Sequence, residues 1–209
     1  MHSLEMTQMS SLHEQRLDQV CRMLKATGAR RLLDLGCGSG SLLYRLLAEP
    51  QFEQIIGLEQ SGLSLAQCRE MLAEHLTPDN SRLRLIAGSY ADKHPGLVGF
   101  DAAAMVETIE HVPPKDLSKV ELAVLGHLRP NHLLITTPNR EYNPLFDLAP
   151  GELRDPDHKF EWTRSKFQQW ARGLAQRNGY RVRFGGIGEL HPELGQPTQT
   201  ALFCQAATY

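Results

Sequence analysis

A chain of 209 residues, 41% of them hydrophobic, is long enough to bury one full core. A net charge of −2 excludes the global basic field of a protein that coats nucleic acid or anionic membrane, so a phosphate-bearing partner must be held locally. No Gly/Ser linker, repeat or low-complexity tract divides residues 1–209, and a single domain is expected.

The N-terminal segment, residues 1–28, places Leu12, Leu17, Val20 and Leu24 at near-helical spacing, and Gly28 ends that helix. Glu5, Glu14 and Asp18 interrupt it, so it does not read as a signal peptide, and no run of about 18 apolar residues spans a bilayer. Cys21, Cys37, Cys68 and Cys204 are scattered without a C-x-x-C pair, which argues against a disulfide framework or a thiolate zinc site and for a reducing, cytoplasmic setting. "RRLLDLG" reads as a strand, "SLLYRLLAE" as a helix and "QIIGLE" as a second strand. A helix from about Ser61 to Leu76 follows, then strands in "RLRLIAGS" and "GFDAAAMVE". A helix runs from about Pro114 to Leu128, and "HLLITT" is a fifth strand that Pro138 stops. Residues 139–161 form a long excursion, a length that usually signals function. "RSKFQQWARGLAQRNG" is a helix, with Thr163 as N-cap and Gly179 past its end. "YRVRFGGIG" and "TQTALFCQA" close the sheet as an antiparallel pair. Strands alternating with helices imply an α/β, doubly wound, mainly parallel seven-stranded sheet with helices on both faces. Ligands then sit at the carboxyl ends of the strands.

"LLDLGCGSGSLL" places Gly36, Gly38 and Gly40 between a strand and a helix, where the backbone must turn tightly beside a ligand. The spacing is G-x-G-x-G rather than the dinucleotide G-x-G-x-x-G, and it resembles motif I of class I S-adenosylmethionine-dependent methyltransferases, a Rossmann-like fold. Asp34 suits the cationic amino-acid end of that cofactor. Glu59, closing the second strand, suits its ribose hydroxyls. Ser89 stands where adenine usually lies, though it serves equally as a turn serine.

"VETIEHV" sets Glu107 at the end of the fourth strand, with Glu110 and His111 three and four residues on. In a helical turn these share one face, and two carboxylates beside an imidazole call for a cation such as Mn²⁺ or Mg²⁺. Taken alone, E-x-x-E-H reads more simply as the acidic opening of a solvated helix. His158, in the excursion after the neighbouring strand, could reach the same cleft.

E-x-x-E-H, then T-P-N-x-E-Y-N, then D-H-x-F-E-W-T-R together resemble the Hen1 family of RNA 3′-terminal 2′-O-methyltransferases, from about Leu32 to the last strand. The resemblance implies metal ligation by Glu107, Glu110, His111 and His158, and cofactor contacts from Asp34, Glu59 and Ser89 beside Gly36 and Gly38. It implies methyl transfer to the 2′-hydroxyl of an RNA 3′ end bearing a 2′,3′-diol, with no membrane or DNA partner. Bacterial relatives often carry a further domain, absent from these 209 residues, and act with RNA-repair proteins; an acidic residue is common where Lys166 stands. His111 or His158 is a candidate proton acceptor. RNA contacts are expected from Arg140, Arg154, Lys159, Arg164 and Lys166, with Tyr142, Phe160 and Trp162 for stacking, although at least one of Phe160 and Trp162 reads as core. A metal-independent small-molecule methyltransferase is the alternative, indifferent to chelators and to Glu110→Ala. An inactive RNA-binding module, unable to bind S-adenosylhomocysteine, is a second, and a nicotinamide oxidoreductase is opposed by the glycine spacing.

Overall fold

The computed structural model describes residues 2–146, 148–149 and 151–206, with the backbone alone for 2–10. Helix α1 (His2–Ala26) leads into β1 (Arg31–Leu35), α2 (Ser41–Leu47), β2 (Gln54–Glu59), α3 (Gly62–Met71) and β3 (Leu83–Ala87). The second half runs through β4 (Ala102–Val106), α4 (Leu117–Glu121), β5 (His132–Pro138), α5 (Arg164–Asn178), β6 (Tyr180–Ile187) and β7 (Thr198–Gln205). The seven strands form one sheet in the order β3-β2-β1-β4-β5-β7-β6. β1 to β5 are parallel, and β7 alone is reversed, pairing antiparallel with β5 and with β6.

Alternation within the buried strands divides the core in two. Leu33, Leu35, Ile56, Leu58, Ala103 and Met105 face one side, where α4 and α5 contribute Val120, Phe167, Ala171 and Leu174. Leu32, Ile55, Ala102 and Ala104 face the other, against Leu17, Val20 and Leu24 of α1, Leu42, Leu43 and Leu46 of α2, and Cys68 of α3. Hydrophobicity on both faces of β1, β2 and β4 is what a doubly covered parallel sheet requires.

Several boundaries differ from expectation. The helix proposed from Ser61 to Leu76 ends at Met71, and a separate 3₁₀ turn follows at Ala73–His75. The stretch from Pro114 to Leu128 begins as a 3₁₀ turn, passes through α4 and finishes as a π-helical segment, Leu122–Leu128, closed by Arg129 in a left-handed conformation. β5 does go no further than Pro138, but includes it as the last residue, paired with Thr198 and with its carbonyl accepting from Gln199 Nε2. A strand-end proline costs little because its missing N–H falls where the ladder is ending. Among the described residues, no helix is long and apolar enough to cross a membrane.

Candidate active site

The order of the sheet reverses between β1 and β4, and both halves of the site lie at the carboxyl ends of these strands. After β1 the chain turns through Gly36, Gly38 and Gly40, all with positive φ. A Cβ on Gly36 would lie 2.7 Å from Thr108 Cγ2, so an alanine here meets both strain and a neighbouring side chain. That contact also locates the site: the glycine turn touches the residue directly after Glu107.

Asp34, next to last in β1, is buried, with Oδ2 lacking any hydrogen-bond partner. Burial, helped by the nearby Glu59 charge, pushes its carboxyl up to about 7. Glu59 is tied into place. Its Oε2 accepts from Gly38 N at 2.9 Å and its Oε1 from Ser61 N at 2.7 Å, and each oxygen keeps a further lone pair. Ser89 lies two residues past Ala87, the register partner of Glu59. Its hydroxyl accepts from Ala91 N at 3.2 Å and its carbonyl lies 2.8 Å from His94 Nε2, contacts internal to the turn.

Beyond β4 the chain does turn helically, but as one 3₁₀ turn, Ile109–His111. The structure brings Glu110, His111 and His158 together, one ligand atom from each within 4.8 Å of the others. Glu110 is fully buried. Its Oε2 accepts from Thr137 Oγ1 at 3.0 Å, and its Oε1 has no partner. Burial, and then the adjacent Glu107 charge, hold its carboxyl well above the usual range. His111 is half-buried, and burial together with His158 lowers its basicity. The two imidazoles meet edge to face, with centroids 4.9 Å apart. The backbone N–H of Lys159 donates to the Glu110 carbonyl at 2.7 Å, which fastens the excursion to this turn.

Glu107 is outside that trio. Its Oε1 accepts from Thr136 Oγ1 at 2.9 Å, and its Oε2 pairs with Arg16 at 3.2 Å. Two residues beyond the sequence reading complete the cluster. Glu161 Oε1 is 2.6 Å from His158 Nδ1; burial raises the Glu161 carboxyl, but hydrogen bonds from His158, Asn143 and the Arg154 N–H outweigh it and leave a net lowering. An ionised Glu161 therefore accepts a hydrogen bond from Nδ1–H and leaves Nε2 of His158 as an available lone pair. Arg16 comes from α1, where no motif marks it. The signal for Glu161 was present in D-H-x-F-E, but as one acid among three in a polar stretch.

Arg154 corrects the expected RNA surface. Its guanidinium bonds Asn143 Oδ1 at 2.7 Å, the Pro197 carbonyl at 2.8 Å and the Asn139 carbonyl at 2.5 Å, so it staples the excursion to β5 and the segment before β7. Arg164 is likewise engaged with Glu141 and the Glu193 carbonyl. Phe160 and Trp162 are both buried and stacked on each other at 4.1 Å, and Tyr142 is buried too. Lys166 lies over the Trp162 ring at 5.3 Å. Arg140 and Lys159 are exposed.

Residues 33–134 match a family model described as a methyltransferase domain. The solved methyltransferase domain of a bacterial Hen1, CtHen1-C, is 40% identical with a TM-score of 0.84, over 94% of this chain and 100% of that one. The small RNA 2′-O-methyltransferase of Mus musculus is 36% identical over 85% of this chain and 46% of its own length. The chain thus spans about half of that relative. Two more distant structures share the fold alone: magnesium protoporphyrin IX methyltransferase from Synechocystis PCC 6803 with S-adenosylmethionine bound, at 14% identity and TM-score 0.69, and a Pnkp1/Rnl/Hen1 RNA repair complex, at 23% and 0.69. With 40% identity to a bacterial Hen1 methyltransferase domain that it covers completely, this chain belongs to the Hen1 family.

Proposed function

We propose that the protein methylates the 2′-hydroxyl of the 3′-terminal nucleotide of RNA, with S-adenosylmethionine as donor and a divalent cation, Mn²⁺ or Mg²⁺, held by Glu110, His111, His158 and Glu107. The carrying observation is the unpartnered, buried Glu110 Oε1 beside two imidazoles, one of them backed by a carboxylate. An orphaned buried oxygen is costly unless something binds it, and this oxygen–nitrogen donor set suits a Mn²⁺-like ion.

When bound, the cation supplies a Lewis acid that lowers the pKa of a ribose hydroxyl, a poor nucleophile at neutral pH. The protein's own groups do the rest. Asp34, ionised, pairs with the cofactor ammonium, and Glu59 offers its remaining lone pairs to the cofactor ribose. Glu161 holds the tautomer and orientation of His158, and Thr137 holds Glu110. His111 is kept neutral by burial and by His158, so its one ring lone pair is free to serve as a ligand. With the donor over the glycine turn and the acceptor over the Glu110 turn, methyl transfer depends chiefly on positioning.

The test is an RNA end series. Oligonucleotides ending in a 2′,3′-diol, a 2′-deoxy residue or a 3′-phosphate are incubated with labelled cofactor and Mn²⁺. Label is expected on the diol alone. Equal labelling of the 3′-phosphate would defeat recognition of the free terminal diol. RNA-repair proteins are the proposed partners, following the repair complex that contains a Hen1. The four unpaired cysteines fit a cytoplasmic setting.

A further inference from the structure

Arg16 is a cation already in the carboxylate cluster. Its side chain is 13% exposed and that of Glu107 18%, so the pair at 3.2 Å is mostly withdrawn from water. Its Nε also donates to Thr198 Oγ1 at 3.2 Å, so one guanidinium links α1 to β7 and to the end of β4. Glu107 has φ +51, a region that strains a non-glycine residue. It is held there by its N–H donating to the Thr136 carbonyl at 3.1 Å and by the two contacts to its carboxylate. Helix α1 does not depend on this pair for docking, because Leu17, Val20 and Leu24 are buried in the core.

A buried carboxylate, Glu110, and a partly buried one, Glu107, lie close together, and Arg16 sets a positive charge beside them. We propose that Arg16 is a placeholder cation: it draws Glu107 away from the Glu110–His111–His158 set, and a divalent ion must break the Arg16–Glu107 pair to recruit that fourth ligand. Arg16 is then a positioning residue that sets metal affinity through Glu107. The inference rests on the metal reading above.

Binding of Mn²⁺ to the full chain is followed by the electron paramagnetic resonance signal of the free ion, without RNA or cofactor. Arg16→Gln is expected to bind on the order of tenfold more tightly, since it removes both a competing partner and a repelling charge. Arg16→Lys keeps the charge but cannot span Glu107 and Thr198 with one planar fork, and an intermediate, severalfold gain is expected. With Glu107→Gln already in place, Arg16→Gln should yield a much smaller gain, which a merely structural role of Arg16 would not produce. Unchanged or weaker binding in Arg16→Gln, or in Arg16→Lys should the first variant not fold, overturns the placeholder role while leaving the metal site standing. Failure of the wild-type chain and of both variants to bind Mn²⁺ overturns the metal reading, and this inference with it.

Discussion

Asp34 shows what burial does to a single carboxyl. Its folded pKa of about 7 lies above the ordinary 3.8, so the folded chain holds a proton there that the unfolded chain releases. Stability from this group is greatest below pH 3.8, declines from there to about 7, and levels off above. Asp34→Asn is therefore expected to stabilise the ligand-free protein at pH 8 by about 2–4 kcal/mol and hardly at pH 4, read from urea midpoints at the two values. The same substitution should weaken S-adenosylhomocysteine binding. Wild-type affinity, measured calorimetrically, should rise with pH through about 7 as the carboxylate forms to meet the ammonium. Glu161 acts one contact further out. Glu161→Gln should lower Mn²⁺ affinity about 10–100-fold with the fold intact, because His158 then meets a neutral amide in place of the carboxylate that fixes its tautomer. Position near strand ends made Asp34 and Glu59 legible as candidates, and motif spacing did the same for Glu110, His111 and His158. Arg154 and Glu161 were not legible in their actual roles, because a buried and an exposed charge look alike in a string of letters.

At the scale of elements, the excursion between β5 and α5 is organised by its two ends. Asn139 bridges to Trp162, and its amide donates to the Leu194 and Gln196 carbonyls at 2.8 and 2.9 Å. Within it, a 3₁₀ helix spans Arg140–Phe146, and His158 and Glu161 are delivered just before α5 begins. Thr163 caps α5, its side chain accepting from Lys166 N. Thr163→Ala is expected to cost about 1 kcal/mol in urea unfolding with little change in Mn²⁺ affinity, since Glu161 is anchored by His158, Asn143 and Arg154 rather than by the cap. Apolar periodicity and cap chemistry located α5 well, because both act within a few residues. The π-helical end of the segment after α4 carried no comparable local mark, and neither did the break in α3.

For the whole molecule, the sheet order decides which distant residues meet. β1 and β4 are neighbours, so the glycine turn and the Glu107–His111 turn share one edge, and β5 beside β4 carries the excursion back over it. Mn²⁺ held at this shared edge, as proposed, would be linked to global stability. At an ion concentration about 100-fold above the dissociation constant, the wild type should gain about 2.7 kcal/mol, seen as a raised melting temperature. Glu110→Gln, without the anionic oxygen, should show no such rise. An equal rise in that variant would mean the ion binds elsewhere.

The amino-acid sequence by itself determined the alternation of strands and helices, the glycine turn and the acidic strand ends, because periodicity, turn preference and capping act over short distances along the chain. Only the tertiary structure decided that Glu110, His111 and His158 converge, that Arg16 claims Glu107, and that Arg154, Phe160 and Trp162 face inward. Those outcomes depend on which surfaces are desolvated together by residues far apart in the chain, and burial is a property of the packed whole.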